Sequence, residues 1–164
     1  MQSDRTPTGK GGCRKPKNPP LTRSENMARI RGKDTQPEMR VRRALWAAGL
    51  RYRLHDKRLP GRPDLVFPGR HTVVMIHGCF FHMHEGCANF RLPKTRTEWW
   101  AAKLARNRAR DAEVRAALEA AGWRVIVVWE CETERVECLE ALVRELRICN
   151  LPQQADEEVT RGER

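Results

Sequence analysis

Thr72-Val73-Val74-Met75-Ile76-His77-Gly78-Cys79-Phe80-Phe81-His82-Met83-His84-Glu85-Gly86-Cys87 is the stretch around which the chain is organised. Its first five residues form a hydrophobic run rich in β-branched side chains, which reads as a buried strand. From Ile76 to Cys87 it holds three of the five histidines, two of the six cysteines and a Phe-Phe pair. Metal ligands, proton carriers and stacking aromatics are thus placed at a strand's C-terminal end, held by a rigid element and open to solvent on one side.

Working outward, Leu59-Pro60-Gly61-Arg62-Pro63-Asp64-Leu65-Val66-Phe67 lies upstream. Pro60-Gly61 signals a turn, and Pro63 forces Arg62 out of the helical region, so Asp64 enters an extended segment. Pro68-Gly69 turns the chain, and residues 71–76 pair back as a hairpin. Asp64 stands at the edge of an apolar strand, where strand propensity disfavours it. It is either a solvated turn residue or a metal-binding carboxylate, and its neighbourhood favours the second. Further upstream, Leu50–Leu54 alternates like a half-buried strand. Val41, Ala44, Leu45 and Ala48 give a helix one apolar stripe, with Thr35 as N-cap, Pro37 in the first turn and Glu38 near the N-terminus. A shorter helix starts near Ser24.

Downstream, a long helix runs from the Pro93–Glu98 region to about Ala121. Trp100, Leu104, Asn107, Asp111, Val114 and Leu118 share one of its faces. That face is apolar at both ends and polar in the middle, so Asn107 and Asp111 need a ligand or another buried polar group as partner. Trp123–Trp129 reads as a central strand, followed by Glu130-Cys131, and a last helix covers roughly residues 135–148. The order helix, helix, strand, strand, strand, long helix, strand, helix predicts an α/β fold with a mixed sheet between helical layers.

The 164 residues suit one domain with one sizeable core. Lys and Arg outnumber Asp and Glu by 32 to 21, a net charge of +11 that favours a polyanion, nucleic acid first. Much of the excess lies in a flexible basic arm over residues 1–21, a candidate for phosphate contact. Residues 22–150 form the folded domain, and residues 151–164 form a polar, flexible tail. No apolar run approaches a membrane span and no secretory signal is evident, so a reducing compartment with a metal site is expected rather than disulfides.

Cys79, His84 and Cys87 form C-x4-H-x2-C. A closed zinc site needs four thiolate or imidazole ligands. Cys131 is the candidate for the fourth, while Cys138 and Cys149 would require the last helix to pack close; Cys13 is given no role. Free buried cysteines are the bland alternative. His77 and His82 remain outside this set. With Asp64 they make an Asp-His-His group suited to metal-assisted phosphodiester hydrolysis, Asp64 holding a hard cation such as Mg²⁺. Phe80 and Phe81, on a loop between metal ligands, lean towards base stacking, whereas Trp100 is balanced between core and intercalation.

Taken together, Ser24-x-Asn26-Met27, Leu59–Asp64, His77–His82, Thr95-Arg96-Thr97-Glu98 and Val128-Trp129-Glu130-Cys131 resemble the very-short-patch repair (Vsr) mismatch endonucleases over about residues 22–148. The resemblance implies a restriction-endonuclease-like α/β fold and a Mg²⁺-dependent nick on the 5′ side of the thymine in T:G mismatches, which arise when 5-methylcytosine deaminates. It implies Asp64 and the main-chain carbonyl of Ile76 as Mg²⁺ ligands, His82 as general base, Glu38 supporting it, and His77 stabilising the phosphate. It implies structural Zn²⁺ on Cys79, His84, Cys87 and Cys131. It also implies intercalation by Phe80, Phe81 and Trp100, with DNA contacts from Asn107 and from a first helix carrying Met27 and Arg29. The partner is then mismatched double-stranded DNA, met by a bacterial, cytoplasmic, monomeric protein that hands its product to downstream repair proteins. Phe81 stands where the family commonly has Trp, and Ile76 where it has Thr or Asp. Two competing expectations are a zinc-stabilised DNA-binding module without catalysis, and a restriction-type nuclease cutting both strands of an intact site.

Overall fold

The computed structural model describes residues 33–148. The basic arm, the short helix with Met27 and Arg29, Cys13, Cys149 and the polar tail lie outside the described residues. Helix α1 (Gln36–Ala47) starts at a capping box. The Thr35 hydroxyl accepts the Glu38 N–H at 3.5 Å. The Glu38 carboxylate accepts the Thr35 hydroxyl at 2.8 Å and the Asp34 N–H at 3.0 Å. Strands β1 (Arg53–Leu54), β2 (Leu65–Phe67) and β3 (Thr72–His77) follow, then helix α2 (Thr97–Ala120), strand β4 (Arg124–Trp129) and helix α3 (Val136–Ile148).

The sheet order is β1-β2-β3-β4. β1 with β2 and β2 with β3 are antiparallel, whereas β3 and β4 are parallel. A parallel pair needs a long crossover, which α2 supplies. The two faces of the sheet bury different residues, as the two-residue period of a strand requires. Leu65, Phe67, Val74, Ile126 and Val128 pack with Val41 and Leu45 of α1 and with Leu142 and Leu146 of α3. Val66, Val73 and Met75 pack on the other face with Leu118, beside Val114 of α2. The result is three layers, helices on both sides of a mixed sheet. Burying each such Val or Leu contributes about 1.5–3 kcal/mol.

One expectation needs correction. β4 pairs with β3 alone and closes the sheet among the described residues, so it is not a central strand. β3 is the inner one, with five of its six residues buried, while β4 has two. A continuous apolar run tells only that both faces are covered, and in a three-layer fold that holds for an outer strand too.

Gly61 shows why the Leu59–Asp64 loop reads as it does. Its φ is +67°, and a Cβ there would lie 2.3 Å from Cγ1 of Val114. Only glycine lets this loop lie against α2. No helix among the described residues is long and apolar enough to cross a membrane.

Candidate active site and metal centre

The loop after β3 is tied to the end of β4. The Glu130 N–H donates to the His77 carbonyl at 2.9 Å, and the Cys79 N–H donates to Oε2 of Glu130 at 3.1 Å. The loop winds through tight turns, with His82 N–H to the Gly78 carbonyl and His84 N–H to the Cys79 carbonyl. Cysteine and histidine side chains from one loop thereby meet Cys131 from the next connection.

The structure brings Cys79, His84, Cys87 and Cys131 together, their donor atoms all within 4.8 Å of one another. Nδ1 of His84 is 3.6 Å from Sγ of Cys79 and 3.5 Å from Sγ of Cys131. A tetrahedral ion with bonds of about 2.3 Å to sulfur and about 2.0 Å to nitrogen separates those atoms by about 3.6 Å, so the four donors fit. Burial, and then the neighbouring Cys79 and Cys87 thiols, push Cys131 up to about 12, and burial also raises Cys79. A bound cation is what would offset that cost. The His84 ring stacks on Trp129, centroids 4.1 Å apart and planes 3° from parallel, which fixes its orientation. Cys138, on α3, lies outside this cluster.

The second group is built differently. His77 and His82 stack face to face, with centroids 4.0 Å apart and planes 12° apart. Their donor atoms and that of Asp111 lie within 4.8 Å of one another, a spacing that could hold a metal ion, but two nearly parallel rings would have to turn before both aimed in-plane lone pairs at it. Nδ1 of His82 lies 2.5 Å from Oδ2 of Asp111 on α2. A carboxylate at Nδ1 favours the tautomer with its proton there, which leaves the lone pair on Nε2. Nε2 of His77 is buried and has no hydrogen-bond partner among the described residues. Burial, aided by the charge of His82, lowers His77 to about 4, so it is neutral near pH 7. The edge of His77 meets the face of Trp129, with centroids 5.5 Å apart, so one indole supports both groups.

Asp64 directly precedes β2 and accepts the Ile76 N–H on Oδ2 at 2.7 Å. Burial raises its carboxyl pKa, the Ile76 hydrogen bond opposes the rise, Glu38 adds to it, and His55 and His82 oppose it. Glu38 is buried and its charge acts on Asp64, while its own oxygens accept from the Asp34 N–H and the Thr35 hydroxyl. The side chain of Ile76 packs against the core, so its backbone is what it offers to Asp64. Glu38 holds the start of α1 and faces Asp64, whereas the carboxylate on His82 is that of Asp111.

The aromatics form a ledge beside the loop. Phe80 meets Phe81 and Trp100 edge to face, each at 5.2 Å, and Trp99 meets Trp100 at 4.8 Å. Trp99 is exposed, with Arg96 and Lys103 over its ring. Asn107 donates its amide to the Phe81 carbonyl at 3.1 Å, so it braces the ledge from α2.

Sequence reasoning passed over Asp111 as a site residue, although its place on an apolar stripe was the signal that it needed a partner. Glu130 and Trp129 stood next to Cys131 without an assigned role. His55, whose Nδ1 is 3.9 Å from Oδ1 of Asp64, gave no signal.

A histidine–carboxylate pair thus lies within electrostatic reach of a partly buried aspartate, on a chain of net charge +11. Residues 17–89 match the family described as DNA mismatch endonuclease Vsr. The chain is 50% identical over 127 residues to the type II nicking enzyme V.XorIIP of Xanthomonas oryzae pv. oryzae, covering 77% of this chain and 93% of that one. It is 44% identical to the DNA mismatch endonuclease Vsr of Escherichia coli, over 76% of this chain and 81% of that one. It is also 44% identical to the type II nicking enzyme V.NmeAIP of Neisseria meningitidis, over 76% and 91%. The chain belongs to the DNA mismatch endonuclease Vsr family and is a DNA endonuclease, a hydrolase.

Proposed function

We propose that the protein nicks one strand of double-stranded DNA on the 5′ side of the thymine in T:G mismatches left by deamination of 5-methylcytosine, starting a short-patch repair. The observation that carries this reading is the His82–Asp111 pair, on the loop that also carries Phe80 and Phe81 and within electrostatic reach of Asp64. The mixed sheet, with Asp64 entering β2 and His77 ending β3, supports a restriction-endonuclease-like arrangement.

Asp64 and the main-chain carbonyl of Ile76 would hold Mg²⁺, with Glu38 adding negative potential. When bound, Mg²⁺ supplies Lewis-acid stabilisation of the charge that builds on the scissile phosphate. Nε2 of His82 takes the proton of the attacking water while Asp111 holds the ring. His77, neutral and buried, donates from Nε2 to a phosphate oxygen as charge develops there. Cys79, His84, Cys87 and Cys131 would hold Zn²⁺, which would fix the loop that carries these rings. Phe80, Phe81 and Trp100 enter the base stack beside the mismatch, where unstacking costs least. The protein would act as a monomer in the bacterial cytoplasm. The relatives named as nicking enzymes favour a single-strand cut over a double-strand one.

The test is a nicking assay on matched and T:G duplexes of otherwise identical sequence. The mismatched duplex is expected to be cut on the thymine strand, and Asp64→Asn to bind without cutting. Equal cleavage of the matched duplex, or full activity of Asp64→Asn, overturns the reading.

A further inference from the structure

Asp64 uses its two oxygens differently. Oδ2 is taken by the Ile76 N–H, whereas Oδ1 faces the His55 ring, with Nδ1 3.9 Å away. That gap is too long for a hydrogen bond. It is short enough for one small ligand to touch both atoms, because contacts of about 2.1–2.8 Å meeting at an open angle span it.

The backbone places His55 there on purpose-built geometry. Its N–H donates to the Asp64 carbonyl at 3.3 Å, one step beyond the Leu54–Leu65 pair that ends the β1–β2 register. Its φ is +46°, in the left-handed region that His71 also adopts. The side chains of His55 and Asp64 are 26% and 25% exposed, so protein walls the gap and one side stays open. Glu38 and His82 are the other charged or titratable groups whose charges act on Asp64.

We propose that His55 shares the divalent cation with Oδ1 of Asp64 and sets which cation the site prefers. An imidazole nitrogen beside a carboxylate favours cations that accept nitrogen, such as Mn²⁺ and Co²⁺, relative to Mg²⁺, which keeps to oxygen. This rests on the reading of Asp64 as the cation ligand.

The experiment is Mn²⁺ binding to the full-length, zinc-loaded protein without DNA. Free Mn²⁺ is read by electron paramagnetic resonance, Mg²⁺ is the competitor, and ¹⁴N modulation of the bound Mn²⁺ reports nitrogen ligation. His55→Ala, and His55→Gly to suit the left-handed backbone, are compared with wild type, His82→Ala and Asp64→Asn. Both His55 variants are expected to weaken Mn²⁺ about tenfold, with a smaller change for Mg²⁺. The ¹⁴N modulation should vanish in both and survive in His82→Ala. If Asp64→Asn keeps its Mn²⁺ affinity, the Asp64 reading falls. If Asp64→Asn loses affinity but either folded His55 variant keeps the ¹⁴N modulation, the inference about His55 alone falls.

Discussion

The Cys/His cluster gathers four donor atoms within 4.8 Å of one another; the neighbouring His77–His82–Asp111 group gathers only three at that spacing, and two of them belong to rings that lie nearly flat on one another. Both groups grow from the same loop, and both lean on Trp129. The first is closed, because its donors already sit at the spacing of a tetrahedral ion. The second is open, since one buried nitrogen has no hydrogen-bond partner among the described residues and one ring is held by a carboxylate. A closed set of ligands contributes rigidity, and an open set contributes chemistry. The residues of the two groups alternate along one loop, His77 and His82 with Cys79 and His84.

The comparison is broken most severely by opening the closed side. Cys131→Ser is expected to lose its zinc to a chelator and to lower the thermal midpoint by on the order of 10 °C, because metal binding is coupled to folding of the loop. Metal analysis with calorimetry checks this, and a full equivalent of tightly held zinc in the variant would contradict a four-donor site.

Next in size is the open side. His82→Ala should reduce turnover by about 10²–10⁴-fold while zinc content stays unchanged. Asp111→Asn should cost less, and the double variant little more than His82→Ala alone, because the carboxylate acts through the ring. Additive losses in single-turnover kinetics would separate the two residues.

A third measurement uses pH. His77 titrates near 6.5 in the unfolded chain and is lowered to about 4 in the folded one by burial. The unfolded state therefore binds the proton more readily between these values, and stability falls as pH drops from 6.5 to about 4. His77→Asn should lose less stability over that window, by up to about 3 kcal/mol, in urea unfolding at each pH. Identical slopes in variant and wild type would mean that His77 is not buried as a neutral ring.

The smallest effect expected is at the tie between the groups. Glu130→Gln keeps the shape but loses the charge on the acceptor of the Cys79 N–H. Zinc affinity should weaken by about 10–100-fold with nicking still measurable, in chelator competition. An unchanged affinity would show that the zinc alone fixes the loop.

Much of this was legible in the chain. The 35–48 helix, the hairpin around Pro68-Gly69, the long helix and the 123–129 strand all follow from capping residues, turn residues and apolar periodicity, which act over a few residues. C-x4-H-x2-C was legible for the same reason. Cys131 was legible as the fourth member from its place just after a strand, whereas the rank of β4 in the sheet was not. Asp111 announced that it needed a partner without naming it. His55 announced nothing, because a histidine after a short strand is common and its meaning depends on a backbone twist.

The sequence by itself therefore determined the elements, the ligand types and the family, because residue chemistry and local spacing are written in order along the chain. Only the tertiary structure decided which groups share a centre. The parallel pairing of β3 with β4 carries Cys131 and Glu130 to the loop, and the packing of α2 across the sheet sets Asp111 against His82. Those meetings join residues 29 to 52 positions apart, and a contact across such distances is fixed by how layers pack rather than by any motif.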